Sequence, residues 1–138
     1  MIRPKRIKYR KPYRGCLNGR SLRRNFIAFG EYGLQAAQSK WIRYRQLEAR
    51  RRVLTRYVRR RGLWIRVFPN KSITIRPTET RIGSGKGSLE YWVIVVRPGQ
   101  ILFELCGISE TFARRAIQIA TSKLPIKIRF IIKISTPK

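Results

Sequence analysis

Side chains that transfer protons or hold metals are nearly missing from this chain. Its six acidic residues are all glutamates, Glu31, Glu48, Glu79, Glu90, Glu104 and Glu110, and it has no Asp and no His. Proton transfer draws mostly on His, Asp and Glu, and metal sites on His, Cys and carboxylates. The glutamates are scattered, with no close pair in sequence. Cys16 and Cys106 lie too far apart for metal-ligand spacing and read as free thiols of a reducing compartment. The residues therefore predict no catalytic group, no metal, no cofactor and no small-molecule substrate.

One segment resembles a nucleotide site at first sight: Arg81-Ile82-Gly83-Ser84-Gly85-Lys86-Gly87-Ser88. A P-loop needs Gly, four residues, then Gly-Lys-Ser/Thr. Here Gly87 follows Lys86, and Thr80 stands where the first Gly should be. The alternating glycines miss the Rossmann spacing as well. The better reading is a basic loop whose missing Cβ atoms let the backbone approach RNA closely. Arg81 and Lys86 bring charge there, and Gly83, Gly85 and Gly87 allow the approach. The loop, Pro77 to Glu90, is too long for a mere connector in a compact domain.

What the chain has in excess is cation: 33 Lys+Arg against the six glutamates give a formal charge of +27 over 138 residues. A compact body this positive repels itself and demands an anionic partner. Disordered tails carry such charge too, but they lack large apolar residues. This chain is 43% apolar, with six Phe, six Tyr and three Trp. Length and composition thus predict one folded domain behind a basic arm. The arm covers residues 1–24. Arg3, Lys5, Arg6, Lys8, Arg10, Lys11 and Arg14 crowd its first half, Tyr9 and Tyr13 are interleaved, and Pro4 and Pro12 argue against a helix. It can lie along phosphates while its tyrosines stack on bases.

The folded part, 25–138, must position the remaining charge. Phe26 to Gly30 and Gly33 to Ala37 read as short extended segments around a turn. A helical pattern runs from about Arg43 to Arg61 and ends at Gly62. Leu47, Val53, Leu54, Tyr57 and Val58 share one arc of its wheel. Arg45, Arg52, Arg56 and Arg59 form a stripe opposite, with Arg60 just beyond, and Glu48 is the only acid there. This predicts a phosphate-binding face. Leu63 to Phe68 and Ser72 to Arg76 read as strands joined through Pro69, Asn70 and Lys71. Tyr91 to Val96 reads as a strand that turns through Arg97-Pro98-Gly99-Gln100, a type II pattern, into its partner strand Ile101 to Cys106. A second helix spans about Ser109 to Leu124, with Ser109 as N-cap and Pro125 as its stop. Ile126 to Ile134 alternates like a strand. The expected fold is α+β, two helices packed on a largely antiparallel sheet, an α/β sandwich with a basic extended N-terminal arm. The longest apolar run falls short of the roughly 18 residues of a membrane span, and the basic start has no apolar segment of a secretory signal.

The order of these segments resembles a known family, the bacterial-type large-subunit ribosomal protein sixteen, whose archaeal and eukaryotic relatives are called ten-e. The resemblance is carried by Pro4-Lys5-Arg6, Phe29-Gly30, Gln46-Leu47-Glu48-Ala49, Thr55-Arg56, Trp64 to Pro69, Arg81 to Gly87, Glu90-Tyr91-Trp92-Val93 and Lys123 to Lys127. The Gly-Ser-Gly-Lys-Gly version looks most like plastid members. The resemblance implies helices on an antiparallel sheet. It implies binding to large-subunit rRNA near the peptidyl transferase centre, beside the A-site tRNA and neighbouring large-subunit proteins. It points the glycine-rich loop toward that centre and puts Arg56 and Arg81 first among the contacts. The implied compartment is the plastid stroma, with the bacterial cytoplasm and mitochondrial matrix as alternatives. The chain begins where the family usually does, so synthesis without an import presequence is expected. Arg43 stands where the family often has a capping Thr, Arg50 where it usually has Ala, and Asn70 where it usually has Asp. One residue is missing before Trp64, and Gln38 to Arg45 departs most.

Two other classes compete. A nucleic-acid-processing enzyme would need Glu79 and Glu90 to meet around a divalent ion. A membrane-surface protein would need a basic amphipathic face with apolar contacts to lipid, which the first helix meets only loosely.

Overall fold

The computed structural model describes residues 2–58, 62–122 and 124–133. Its elements in chain order are β1 (Tyr32–Ala36), β2 (Lys40–Arg43), α1 (Tyr44–Val58), β3 (Leu63–Ile65), β4 (Lys71–Ile75), β5 (Ser88–Val96), β6 (Ile101–Leu105), α2 (Glu110–Thr121) and β7 (Ile128–Ile132). The α+β class expected from the pattern is what forms. The strands, however, make two antiparallel sheets, ordered β3-β6-β1-β7 and β2-β5-β4. The arm contains no helix or strand among its described residues.

The near-continuous apolar runs belong to the inner strands. All five residues of β6 are buried, and Trp92, Val93, Ile94 and Val96 are buried in β5. The turn between them is the expected type II: Gly99 has φ 89° and the Gln100 N–H donates to the Arg97 carbonyl at 3.2 Å. Yet β5 and β6 are not partners. β5 pairs with β2 and β4, while β6 pairs with β1 and β3, so neither has an edge left for the other.

Helix α1 lacks the Thr cap, but half of a capping box survives. The Gln46 Oε1 accepts the Arg43 backbone N–H at 3.0 Å, satisfying a donor that the helix start would otherwise orphan. Leu47, Val53, Leu54 and Val58 face inward as the wheel predicts, but Tyr57 is more than a third exposed and Arg50 is fully buried. Arg50 Nε, Nη1 and Nη2 have no hydrogen-bond partner among the described residues, and burial pulls its guanidinium down to about 9. Helix α2 starts after Ser109, which is extended as an N-cap should be. Its hydroxyl makes no capping bond and lies 3.2 Å from Thr111 Oγ1 instead.

Three further expectations are corrected. Phe26 to Gly30 is not a strand: the N–H groups of Ala28, Phe29 and Gly30 donate to the Glu104 carboxylate at 3.2, 2.7 and 2.9 Å rather than to a neighbouring strand. The strand expected from Leu63 to Phe68 stops at Ile65. Lys40–Arg43, which the sequence pattern assigns to no strand, pairs with β5. The core joins both sheets and both helices through Leu34, Ile42, Leu47, Leu54, Phe103 and Ala116, all at 0% exposure.

Candidate nucleic-acid interface

The arm lies against the sheet β2-β5-β4 and is held there by its own carbonyls. Ser72 Oγ donates to the Arg10 carbonyl at 2.5 Å and Lys71 Nζ to that of Arg14. Lys86 Nζ donates to the Pro12 carbonyl, and Lys11 Nζ returns a 2.9 Å bond to the Lys86 carbonyl. With its carbonyls turned to the sheet, the arm exposes Arg3, Lys5, Arg6, Lys8, Arg10, Lys11 and Arg14. Arg3, Lys5, Arg6 and Arg10 line one cleft of about 520 Å³ whose floor includes Leu89 and Trp92 of β5.

Aromatic rings sit between these cations. Lys86 Nζ stands 5.7 Å from the Tyr13 ring, Arg14 5.5 Å and Lys71 4.8 Å from that of Trp41, and Arg43 4.4 Å from that of Tyr91. Each contact spreads charge over a π face but neutralises none of it. Among the described residues, the ion pairs involve Glu48, Glu104 and Glu110, so none reaches the arm or the loop. The indole Nε1 of Trp41 is also buried without a partner there.

The glycine-rich loop joins β4 to β5, so its lysine precedes a strand and not the helix N-terminus of a P-loop. Its glycines have two separate reasons. Gly83 (φ 125°) and Gly85 (φ 80°) take left-handed backbone angles with open space around them. Gly87 lies against the chain's own backbone: a Cβ there would meet the Ile75 carbonyl oxygen at 2.1 Å. Arg81 and Lys86 are exposed.

On α1, Arg45, Arg52 and Arg56 are exposed as the stripe requires, while Arg59 and Arg60 lie outside the described residues. Arg45 donates to the Tyr44 hydroxyl at 3.1 Å, which raises its pKa, and the Glu90 carboxylate adds to the same effect. Arg43, just before the helix, pairs with Val93, which brings the start of the helix beside β5. Arg52 is shared with Glu48 at 3.5 Å, and Arg56 rims a groove with Val53, Tyr57 and Ile119. The structure thus gathers arm and loop into one surface and sets Arg52 and Arg56 apart on the helix.

Sequence reasoning misses the cations that make this surface continuous. By sequence Lys71 is only part of a connector, and Arg43 only a lost cap. The alternation of Lys40, Arg43 and Arg45 with Trp41 and Tyr44 is the available signal for Arg43, and the sequence around Lys71 offers none. No group of three or more metal-ligating side chains occurs among the described residues, and no described helix is long and apolar enough to cross a membrane.

The profile of the family described as Ribosomal protein L16p/L10e matches residues 4–131. The large ribosomal subunit protein uL16c of Saccharum officinarum is 59% identical over 132 residues, 95% of this chain and 97% of that protein. The uL16c of Brachypodium distachyon is 60% identical over the same shares of the two chains. That of Drimys granadensis is 58% identical over 133 residues, 96% of this chain and 98% of its own.

Proposed function

The chain belongs to the ribosomal protein L16p/L10e family and is a structural constituent of the large ribosomal subunit, not an enzyme; we propose that within the subunit it binds rRNA beside the peptidyl transferase centre, shapes the A site and helps to position tRNA. The observation that carries this reading is the joined surface of arm and glycine-rich loop, where Lys11 and Lys86 are held together and no ion pair among the described residues neutralises them. A polyphosphate partner supplies what the fold withholds.

The roles divide by location. Residues 1–24 serve as the arm, whose Arg3, Lys5, Arg6, Lys8, Arg10, Lys11 and Arg14 follow an rRNA backbone. Residues 25–138 form the RNA-binding domain. Arg45, Arg52, Arg56, Arg59 and Arg60 dock the first helix on phosphates. Arg81 and Lys86 carry charge on the loop between β4 and β5, which ends at Gly87 because the expected loop residues 88–90 belong to β5, and Gly83, Gly85 and Gly87 shape its backbone toward the tRNA. Neighbouring large-subunit proteins complete the surroundings. The likeness to the uL16c proteins supports the plastid ribosome as the site of assembly.

The test is a large subunit reconstituted with the Arg81→Ala/Lys86→Ala chain. We expect the isolated protein to lose only the exposed Lys86–Pro12 bond, a small shift in thermal unfolding of about 1 kcal/mol or less, and A-site tRNA occupancy or subunit assembly to fall. A large shift in unfolding with normal tRNA handling would make the loop a structural element only.

A further inference from the structure

Two clefts share one rim at Arg24 and Phe68, and the larger of them reaches the arm at Tyr9, Pro12 and Tyr13. The first, of about 400 Å³, is lined by Arg24, Phe29, Arg66 and Phe68 among others. The second, of about 640 Å³, includes Arg24 and Phe68 again, with Tyr9, Tyr13, Lys71 and Arg97. Among the described residues, no acidic side chain lines either cleft. Phe29 is 62% exposed and Phe68 49%.

This exposure is imposed by the fold. The fully buried Glu104 accepts the N–H groups of Ala28, Phe29 and Gly30 and pairs with Arg66 at 2.5 Å. Arg66 in turn stands 5.0 Å from the Phe29 ring centroid. A buried carboxylate thus fixes the backbone that holds a phenyl ring toward solvent. Arg24 is fixed as well, at φ 60°, a left-handed angle that L side chains other than Asn and Asp seldom adopt. The Ile101 N–H donates to its carbonyl at 2.9 Å, and its own Nη1 reaches the Arg66 carbonyl at 3.5 Å. Backbone held in this region is characteristic of functional positions.

We infer that the Arg24–Phe68 saddle holds one unpaired nucleotide of rRNA, its base stacked on Phe68 and its phosphate on Arg24, while Phe29, itself stacked on Trp64 at 6.2 Å, bounds the same cleft. The inference rests on the rRNA-binding reading above and adds a site that tells single-stranded from paired RNA. Alternating rings and cations are the means by which proteins hold unpaired strands, because every base offers a π face. A segment of a neighbouring protein is the less favoured occupant, because both clefts present cations and no carboxylate among the described residues.

The full chain is titrated with an oligouridylate carrying one 2-aminopurine, and with an RNA duplex of equal length. The wild type should quench the fluorophore. Phe68→Leu, which keeps an apolar side chain, should lose the quench and bind the single strand at least about five-fold more weakly, the lower end of base–aromatic stacking. Its duplex affinity should not change, and Phe68→Trp should restore the quench. Arg24→Gly should raise the melting temperature by relieving the left-handed angle, yet weaken single-strand binding. If the wild type bound neither RNA, the rRNA reading itself would fall. If it bound both, and Phe68→Leu matched it in quench and affinity, the saddle alone would be overturned. The saddle would equally be overturned, in favour of a protein occupant, if Phe68→Leu kept both RNA signals but failed to enter reconstituted subunits.

Discussion

Lys11 and Lys86, far apart in sequence, are joined by a 2.9 Å hydrogen bond from the Lys11 ammonium to the Lys86 carbonyl, and the Lys86 ammonium bonds back to Pro12 beside Lys11. Two exposed lysines are thereby fixed close together with no ion pair among the described residues to offset their repulsion. The seam joins the arm and the loop into one surface, and its like charges repel one another until an anion matches them.

Glu104 is the carboxylate on which the backbone of residues 28–30 depends. Burial by itself raises its pKa, but the N–H groups of Gly30, Phe29 and Ala28 and the Arg66 guanidinium outweigh that and hold it below the ordinary 4.5. A folded-state pKa below the unfolded one gives stability that is complete above the ordinary value and is lost as pH falls through the depressed one. Glu104→Ala should cost about 3–5 kcal/mol in urea unfolding, because it strands Arg66 and three N–H groups. Glu104→Gln should flatten the loss of stability that the wild type shows as pH falls below the ordinary carboxylate range.

Arg50 predicts the opposite sign. Its buried guanidinium has no hydrogen-bond partner among the described residues, and apolar replacement of buried charge is often neutral or gains up to about 4 kcal/mol. Arg50→Met should therefore raise the urea midpoint without changing the slope. A lower midpoint would mean that Arg50 contributes an interaction the fold needs.

Glu48 holds Arg51 at 2.7 Å and Arg52 at 3.5 Å, and the Arg51 hydrogen bond keeps its carboxyl below the ordinary range. Glu48→Gln frees both arginines. Filter binding at fixed salt should show rRNA affinity rising a few-fold, with stability changing by less than about 1 kcal/mol. Unchanged affinity would take this face of α1 out of the interface.

The glycines of the loop should separate into two kinds. Gly87→Ala puts a Cβ against the Ile75 carbonyl, so it should displace the loop from β4 and lower both melting temperature and RNA affinity. Gly85→Ala meets open space and only a left-handed backbone, so it should cost about 1–2 kcal/mol or less. Gly85→Asn should recover part of that, since Asn tolerates this angle.

Both helices, β5, β6 and the Pro98-Gly99 turn are legible in the sequence, because each depends on local spacing. Periodicity does not assign neighbours. A period of two says which face is buried but not which strand lies alongside, so the short turn suggests that β5 and β6 pair although they occupy different sheets. Phe26 to Gly30 misleads for a related reason: its conformation is fixed by Glu104, from a strand late in the chain. Arg50 reads as added surface charge although its wheel position lies within the apolar arc, between Tyr57 and Leu54, because charge argues against burial. The arm and the Arg81–Gly87 loop are legible as cationic segments. The contributions of Lys71 and Phe68 are not, since only the folded chain brings them beside the arm.

The most direct test of the account is the salt dependence of binding to large-subunit rRNA. Six to ten phosphate contacts predict that affinity falls by about 10³–10⁵ between 50 and 200 mM salt. Replacing Arg52 and Arg56 should reduce that slope by roughly one for each phosphate no longer neutralised. A complex whose affinity is insensitive to salt over this range would contradict it.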